Sequence, residues 1–494
     1  MGSITSPPQS MLSSLTATVF ESATTLDTLL AQKQLPRPTF SARPGSRQNW
    51  ADAQPHPDVL DARSRLIDAA QALVDLALGP ADVLAAYVGD RVCEIDVLRT
   101  MDALGVAQAV PLPGGGVNNN GNSDKQPDSE EGEEGEDEDE DEGISIPDLA
   151  EKLGVRNVLS FEKQLRFAFL MGLFRLTPKS KKVAHTGLSA ALLDESNSPY
   201  VSLRLGRIFS QGAHEVAGAL RHGSGSSEED PESIPCARAD PRGRPGRPAF
   251  VQLRAEPDGM GMDRYSTGMI GLYNHHAGFS YLPFLHGFRR AETLRAGDTV
   301  VDVGGGNGHV EAEILPLVPA GVDFIIQDHA SNQAGAEQMI AAVARRYKDN
   351  TEKSLPSSSS RLQFLAHDFF TPQPVPLPQG RVPKVYMLLR VLQDWDDADC
   401  ARILRPLVPA MERHGTRLWI MNCVLPDEEG TMPRHRERML RNLDLVVYTL
   451  SGGGERSASH MERMLRNADP RLTIDRSCRP PNCLFSFVEV SLRQ

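Results

Sequence analysis

The chain has few of the features that mark secreted, zinc-binding or membrane-spanning proteins. Its six cysteines are widely scattered over 494 residues, and no two of them have the spacing of zinc ligands. No secretory signal precedes them, and no apolar run reaches the roughly 20 residues that a helix needs to cross a bilayer. We therefore expect free thiols, no bound metal, no membrane partner and a cytoplasmic location.

Negative charge is abundant, but it is concentrated in one segment. The formal net charge is −13, and 12 acidic residues lie between Asp128 and Glu142. Such a run cannot bury enough apolar surface to fold, so it predicts a disordered insert over residues 111–143. The remainder of the chain is close to neutral, and we expect no nucleic-acid partner.

The first half of the chain has the periodicity of helices. Residues 1–55 are rich in Ser, Thr and Pro and are expected to form a flexible tail, with a possible helix from Thr16 to Gln34. Residues 56–250 are predicted to be a second, helical region. Its apolar positions recur at helical spacing from Val59 to Tyr87, interrupted at Gly79-Pro80, and again from Val92 to Leu104. These apolar faces suit either a partner subunit or a core of their own.

A smaller unit follows the acidic segment. Ser145 is placed to cap a helix, a second helix is predicted from Ser160 to Gly172, and a hairpin is predicted from Phe174 to Lys182. Helix, turn, helix and hairpin are the elements of a winged helix. Its lysines could contact phosphates, but the acidic segment would compete for them, so a solvated surface is the favoured interpretation.

Strands and helices alternate from Thr299 onward, which predicts a parallel sheet. The predicted strands are Thr299–Val303, Asp323–Gln327, Leu362–Ala366, Lys384–Leu388 and Arg417–Asn422, with helices His309–Leu317, Asn332–Tyr347 and Ala398–Ala410 between them, and a closing antiparallel hairpin of Arg471–Arg476 and Leu484–Leu492. Residues 251–494 are thus expected to form an α/β, Rossmann-like domain. Ahead of its first strand, the Met- and aromatic-rich segment Met260 to Leu285 suits either a core or a pocket wall.

The first of these strands ends in a glycine-rich turn. Asp302 is followed by Gly304, Gly306 and Gly308, and glycines let the backbone turn sharply and lie close against a ligand. This spacing differs from the dinucleotide fingerprint Gly-x-Gly-x-x-Gly. An acid before the glycines would repel a pyrophosphate but can pair with a cationic amine, as on S-adenosylmethionine.

Other polar residues follow the later strands at the same edge of the sheet. Asp328 is placed to accept hydrogen bonds from ribose hydroxyls, Asp368 and Phe369 to hold an adenine edge and face, and Arg390 closes the fourth strand. Together with the glycine turn they predict a site for S-adenosylmethionine.

The motifs in this half resemble those of the class I S-adenosylmethionine-dependent O-methyltransferases of the caffeate/flavonoid type, in the branch common in fungal secondary metabolism. The motifs that carry the resemblance are Val301-Asp-Val-Gly-Gly-Gly-Asn-Gly308, Gln327-Asp328, His367-Asp368-Phe369, Leu392-Gln-Asp-Trp-Asp-Asp397, Val424-Leu-Pro426, Gly453-Gly-Glu-Arg456 and Asn467-Ala-Asp-Pro470. The resemblance implies a winged-helix dimerisation domain, a homodimer and a small aromatic or polyketide substrate.

The chain departs from that family where the family places its base. Gln393 stands at the position of the general-base His in the motif Gln393-Asp394-Trp395, and Asn422 replaces the acid that orients this His, whereas Glu455 is kept. A Gln side chain cannot accept a proton near neutral pH. We take Gln393, Asp394, Asn422 and Glu455 as the candidate catalytic set.

Three functions therefore stay open. They are methyl transfer to a hydroxyl that ionises easily, a rearrangement or cycloaddition that uses the cofactor without transferring its methyl group, and a catalytically silent binding role. His185, His275, His276 and His460 are the histidines that could replace the base.

Overall fold

The computed structural model describes residues 10–42, 50, 53, 56–113, 143–193, 206–223, 230–240, 249–254, 294–348, 361–480 and 483–493. The predictions made for most of the acidic insert, for Met260–Leu285, and for His275 and His276 lie outside these residues. Within them, the chain forms two compact units, one up to Arg207 and one from Ile208 onward. Each unit is described by itself.

The first unit is helical with one small hairpin. Its elements are α1 (Met11–Gln32), α2 (Pro57–Val88), α3 (Asp90–Ala103), α4 (Val106–Ala109), α5 (Ile146–Lys152), α6 (Val158–Leu170), β1 (Phe174–Leu176), β2 (Val183–His185) and α7 (Gly187–Ala191). Gly79 interrupts α2 with a φ of 74°, and the Ser145 hydroxyl caps α5 by accepting from the Asp148 amide at 3.2 Å. The predicted interruption, cap and antiparallel hairpin are thereby confirmed.

The outer face of α2 and α3 carries many exposed apolar side chains. They are Val74, Leu76, Leu78, Leu84, Tyr87, Val88, Val92 and Ile95. By length and hydropathy alone, the stretch Pro57–Ala103 also meets the requirements for a membrane span, and none of its most apolar window is buried. Helices of soluble proteins meet the same requirements, so the observation is weak evidence for a membrane. It does identify an apolar surface that the first unit leaves open.

The second unit contains nine described helices and one large sheet. The helices are α8 (Arg207–His222), α9 (Pro235–Arg238), α10 (Ala249–Arg254), α11 (His309–Ile314), α12 (Gln333–Lys348), α13 (Asp397–Leu404), α14 (Val408–His414), α15 (Arg434–Ser451) and α16 (Ala458–Ala468). The strands are β3 (Thr299–Val303), β4 (Asp323–Asp328), β5 (Leu362–Ala366), β6 (Pro383–Leu389), β7 (Arg417–Leu425), β8 (Arg456–Ser457), β9 (Leu472–Cys478) and β10 (Phe485–Leu492).

The sheet has the strand order β5-β4-β3-β6-β7-β10-β9, and β8 also pairs with β7. Strands β5 to β7 run parallel in this order, whereas β10 is antiparallel to both of its neighbours. Every residue of β3 is buried, as expected of a parallel strand covered on both faces. The main core lies on the strands β6 and β7, around residues such as Tyr386, Leu388, Leu418 and Ile420. The predicted Rossmann-like sheet is confirmed.

Two differences from the sequence analysis concern helices. The predicted helix Ala398–Ala410 is divided into α13 and α14 by a 3-10 turn at Arg405–Leu407, because Pro406 has no amide hydrogen to continue an α-helix. The helices α15 and α16 were not predicted.

The packing also assigns Ile208–Ala255 to the second unit, whereas the sequence analysis places residues up to 250 in the first domain. Cys236 donates a hydrogen bond to the Leu450 carbonyl at 2.9 Å. A Cβ on Gly212 would lie 2.9 Å from Thr449 Cγ2. Both contacts hold this segment against α15, a helix that belongs to the second unit.

Candidate active site

The glycine-rich turn after β3 has a backbone conformation that favours glycine, and at two positions it also leaves no room for a side chain. Gly304, Gly306 and Gly308 have φ values of +80°, +58° and +75°, a region that other residues rarely adopt. A Cβ on Gly304 would lie 2.8 Å from Val391 Cγ2, and one on Gly308 would overlap Ile326 Cδ1. Gly304 and Gly308 are therefore required for both space and conformation, and Gly306 for its conformation alone.

Asp328, at the end of β4, holds the glycine turn. Its Oδ2 accepts a hydrogen bond from the Gly306 amide at 2.8 Å. Its Oδ1 accepts from the His329 amide at 2.6 Å and from Asn332 Nδ2 at 2.7 Å. Since a carboxylate oxygen can accept about two hydrogen bonds, Oδ2 retains capacity for one ligand donor, while Oδ1 is already saturated.

An aromatic group adjoins the same turn. Phe369 Cε1 would lie 3.7 Å from a Cβ on Gly304, and the Phe369 ring meets Trp395 edge to face at a centroid distance of 5.7 Å. Phe370 contacts both rings, at 4.9 and 5.0 Å, and its amide donates to Asp368 Oδ1 at 3.0 Å. The structure thus joins the predicted adenine contact to the Gln393-Asp394-Trp395 motif.

The candidate catalytic residues form one connected hydrogen-bond network. Gln393 Nε2 donates to the Arg390 carbonyl at 2.5 Å and to Asp394 Oδ2 at 2.9 Å. Asn422 Nδ2 donates to Gln393 Oε1 at 3.2 Å. Gln393 and Asn422, which are 29 residues apart in the sequence, are therefore in direct contact. This contact fixes the direction in which the Gln393 amide donates.

Arg390 and Glu455 form an ion pair beside this network. Arg390 Nη1 donates to Glu455 Oε1 at 2.5 Å, and the side chains are only 11% and 0% exposed. Arg390 has a φ of 58°, a conformation that costs a non-glycine residue about 1–3 kcal/mol. The sequence predicts Arg390 as a cofactor-binding residue and Glu455 as a catalytic residue. The ion pair therefore connects the predicted cofactor site to the candidate catalytic residues.

Burial changes the acidity of the two carboxyl groups in the network. It raises the pKa of Asp394 to about 7, although the nearby Arg390 guanidinium acts in the opposite direction. It also raises the pKa of Glu455, again against the effect of Arg390. A carboxyl group with a pKa near 7 is partly ionised at neutral pH and can accept a proton there, which neither Gln393 nor Asn422 can do.

Two buried acceptor atoms in the network have no donor among the described residues. They are Asn422 Oδ1 and Glu455 Oε2. A buried polar atom without a partner costs about 1–3 kcal/mol. Such atoms at a site of this kind are suited to a ligand that brings hydrogen-bond donors.

The described histidines that could replace the base are already held by protein groups. His185, in the first unit, is buried between Ser189 Oγ at 2.9 Å and the Val110 carbonyl at 3.1 Å. His460 Nε2 lies 2.7 Å from Asp397 Oδ2. The described residues include no group of three or more His, Cys, Asp or Glu side chains placed to hold a metal.

Sequence reasoning missed the positioning role of Arg456. This buried guanidinium donates to the carbonyls of Leu392 at 2.8 Å and Trp395 at 2.7 Å, and to Asp397 Oδ1 at 2.8 Å. It therefore fixes the backbone on both sides of Gln393. The sequence did contain a signal for this role, because Arg456 directly follows Glu455 in the motif Gly453-Gly-Glu-Arg456. Glu311, buried behind the glycine turn, was also missed.

The sheet, the glycine turn and the acids at its edge have the arrangement that the sequence analysis predicts for a site that binds S-adenosylmethionine. Residues 289–469 match the family model of the O-methyltransferase domain. These residues are therefore similar to an O-methyltransferase domain, which supports an enzyme of the methyl-transferring class.

Known proteins resemble the chain over its whole length. O-methyltransferase pgmB of Aspergillus terreus is 27% identical over 500 residues, covering 100% of this chain and 97% of the relative. Among solved structures, OxaC has a TM-score of 0.67 at 18% identity, and LepI in complex with SAM has a TM-score of 0.61 at 18% identity. Both comparisons cover 97% of this chain and 100% of the other. At this identity the structures show a common fold.

Proposed function

We propose that this protein transfers a methyl group from S-adenosylmethionine to a hydroxyl of a small aromatic or polyketide-type secondary metabolite. The observation that carries the proposal is the position of Asp394. This carboxyl group is hydrogen-bonded to Gln393 at 2.9 Å, beside the aromatic group that adjoins the glycine turn. A proton acceptor thus stands next to the predicted cofactor site even though the family's His is replaced.

The residues around the glycine turn fit the cofactor. Gly304, Gly306 and Gly308 would let the backbone of the turn contact the cofactor, and Asp328, Asp368 and Phe369 would hold its ribose and adenine, whereas the buried Asp302 lies behind the turn. When bound, S-adenosylmethionine supplies a methyl group on a sulfonium and leaves as a neutral thioether. Arg390 would act at the border between the cofactor and the substrate.

Asp394 would take the proton of the reacting hydroxyl. Gln393 holds Oδ2 of this carboxylate, and the residue keeps part of its surface exposed, so the proton can pass on to solvent. Asn422 Oδ1 and Glu455 Oε2, which lack donors, would accept hydrogen bonds from further donor groups on the substrate. A substrate with two or more neighbouring OH or NH groups fits these acceptors best.

A second function is favoured by the contact between Gln393 and Asn422. The Asn422 amide donates to the Gln393 side chain, and a neutral amide N–H can also polarise a substrate carbonyl without moving a proton. In this case the cofactor would act as a bound positive charge in a rearrangement or cycloaddition and would not be consumed.

We also propose a homodimer formed through the apolar face of α2 and α3, in the cytoplasm, with no nucleic acid and no membrane as partners. Both helices carry exposed apolar side chains, and the interfaces of obligate dimers are likewise apolar.

The test uses the full-length protein and S-adenosylmethionine with an isotopically labelled methyl group. Substrates would be 1-naphthol, a hydroxynaphthoquinone and a hydroxyanthraquinone, together with an extract of hydroxylated fungal aromatics. Methyl transfer predicts labelled methyl ether and S-adenosylhomocysteine in equal amounts. Conversion of a substrate without S-adenosylhomocysteine would support the second function, and the absence of any conversion would contradict both.

A further inference from the structure

Two buried carboxyl groups lie directly behind the glycine turn. Asp302 on β3 is 1% exposed, and Glu311 on α11 is 0% exposed. A Cβ on Gly305 would lie 2.6 Å from Asp302 Oδ2, and one on Gly308 would lie 3.7 Å from Glu311 Oε2. The two acids therefore support the segment of backbone that a cofactor would contact on its other side.

Three of the four carboxyl oxygens of these acids have no hydrogen-bond partner among the described residues. Asp302 Oδ1 and both Glu311 oxygens accept no hydrogen bond from an N–H or O–H group. The side-chain amide of Gln327, on the neighbouring strand β4, is also buried without a partner. Asp328 adds a further negative charge close to Asp302.

No described cation neutralises the pair. The nearest basic residue along the chain, His309, is kept neutral because burial lowers its pKa to about 4. Burial raises the pKa of Asp302 well above its usual value, and the negative charges of Glu311 and Asp328 raise it further. Burial raises the pKa of Glu311 as well. Two adjacent buried carboxyl groups without a counter-ion cannot both be ionised, and a hydrogen bond between them requires a proton.

We propose that Asp302 and Glu311 share one proton in the free protein and release it when a cationic cofactor binds, so that Glu311 is a specificity determinant for the sulfonium form. The proposal rests on the proposed function, which requires S-adenosylmethionine at the glycine turn. The second carboxylate ionises as the sulfonium arrives, and the proton passes to solvent. The neutral sulfur of S-adenosylhomocysteine compensates less of the negative charge of the two carboxylates. S-adenosylhomocysteine is therefore bound less favourably than S-adenosylmethionine.

The direction of the pH dependence follows from the shared proton, which the raised pKa values of Asp302 and Glu311 favour. At low pH the shared proton must be displaced before the cation is fully stabilised. As the pH rises, release of the shared proton costs less free energy. Affinity for S-adenosylmethionine therefore increases by at most about tenfold per pH unit, which is the limit for one linked proton. The increase ends where the pair is fully ionised before binding.

Calorimetry of the full-length protein tests the proposal. S-adenosylmethionine, sinefungin and S-adenosylhomocysteine would be titrated at one pH in phosphate and in Tris, whose ionisation enthalpies differ. Wild type is expected to release part of a proton with the two cationic ligands and less with S-adenosylhomocysteine. Glu311→Gln should remove this release and reduce the preference for the cationic ligands. Glu313→Gln, on the exposed side of the same helix, should match wild type.

Equal proton release by wild type and Glu311→Gln would overturn the proposal. If Glu311→Gln does not fold, infrared spectroscopy of the wild type in D2O decides, since the band of a protonated carboxyl should disappear when S-adenosylmethionine binds. A band unchanged by binding overturns this inference alone. A wild type that binds no S-adenosylmethionine would overturn the proposed function together with it.

Discussion

Asn422 Nδ2 donates a hydrogen bond to Oε1 of Gln393 across 3.2 Å. This contact decides the orientation of the Gln393 amide, because Oε1 must face Asn422 and Nε2 must then face Asp394. In the related O-methyltransferases, an acid at the position of Asn422 would orient a His at the position of Gln393. Here two neutral side chains are in contact at these positions, and under the proposed function Asp394 accepts the proton.

Gln393→His should restore a general base at the position of the replaced residue. We expect methyl transfer to increase, up to the factor of about 10²–10⁴ that general-base catalysis contributes, and the increase should be larger when Asn422→Asp is added to orient the imidazole. The rate of S-adenosylhomocysteine formation measures the effect. Gln333→His, on the exposed surface of α12, is the control. An unchanged rate in the double variant would mean that proton removal does not limit the reaction.

Asp394→Asn should remove the proposed proton acceptor. In wild type the rate should rise with pH through about 7, because the raised pKa of Asp394 keeps the group protonated below that value. The variant should lose this rise and about 10²-fold or more of kcat, while its affinity for S-adenosylmethionine stays within a few-fold. Rates between pH 5.5 and 9 test the prediction at about half-unit steps. If the rate of the variant still rises through pH 7, Asp394 is not the group whose ionisation controls the reaction.

Arg390→Ala should leave the Glu455 carboxylate buried without its partner. Loss of one member of a buried ion pair costs about 3–5 kcal/mol, so the free energy of unfolding in urea should fall by this amount. The double variant Arg390→Ala with Glu455→Gln should recover part of the loss, because a neutral amide is less costly to bury than a charge. Arg466→Ala, which breaks an exposed ion pair with Glu462 on helix α16, serves as a surface comparison. If the two substitutions lower the free energy of unfolding additively in the double variant, Arg390 and Glu455 do not stabilise each other.

Leu84→Glu together with Val88→Glu should disrupt the proposed dimer. Both side chains are exposed on the α2 face, and a buried, unpaired carboxylate at an interface is strongly unfavourable. Light scattering coupled to size-exclusion chromatography should show a dimer for wild type and a monomer for the variant. Val382→Glu changes an exposed apolar residue of the second unit and should remain dimeric. A wild type that is monomeric at micromolar concentration would contradict the proposal.

Much of the second unit could be predicted because its signals are local. The β-branched run before Gly304 and the alternation of strands and helices require only a short window of sequence, and β3 and β5 have the predicted bounds. Helix α16 was missed although a signal was present, since Ser457 caps it and Met461, Met464 and Leu465 are its buried positions. Helix α15 begins with the charged run Arg434-His-Arg-Glu-Arg438, which hides its apolar face.

The contacts that give the site its chemistry could not be read from the sequence. Arg390 and Glu455 are 65 residues apart and meet only because β8 pairs with β7. Glu311 has the position of an ordinary acid in the first turn of a helix, and its burial depends on how α11 packs against the sheet. The pKa of Asp394 likewise depends on burial, which no local pattern reports.

The backbone at Gln393 is fixed independently of its side chain. The Gly454 amide donates to the Gln393 carbonyl at 2.8 Å, Gly453 packs against the same carbonyl with no space for a Cβ, and Arg456 holds the flanking carbonyls. A change of side chain at this position therefore leaves the surrounding loop in place. Since Gln and His codons differ by one nucleotide, a single mutation could add or remove a general base on this scaffold without a change of fold.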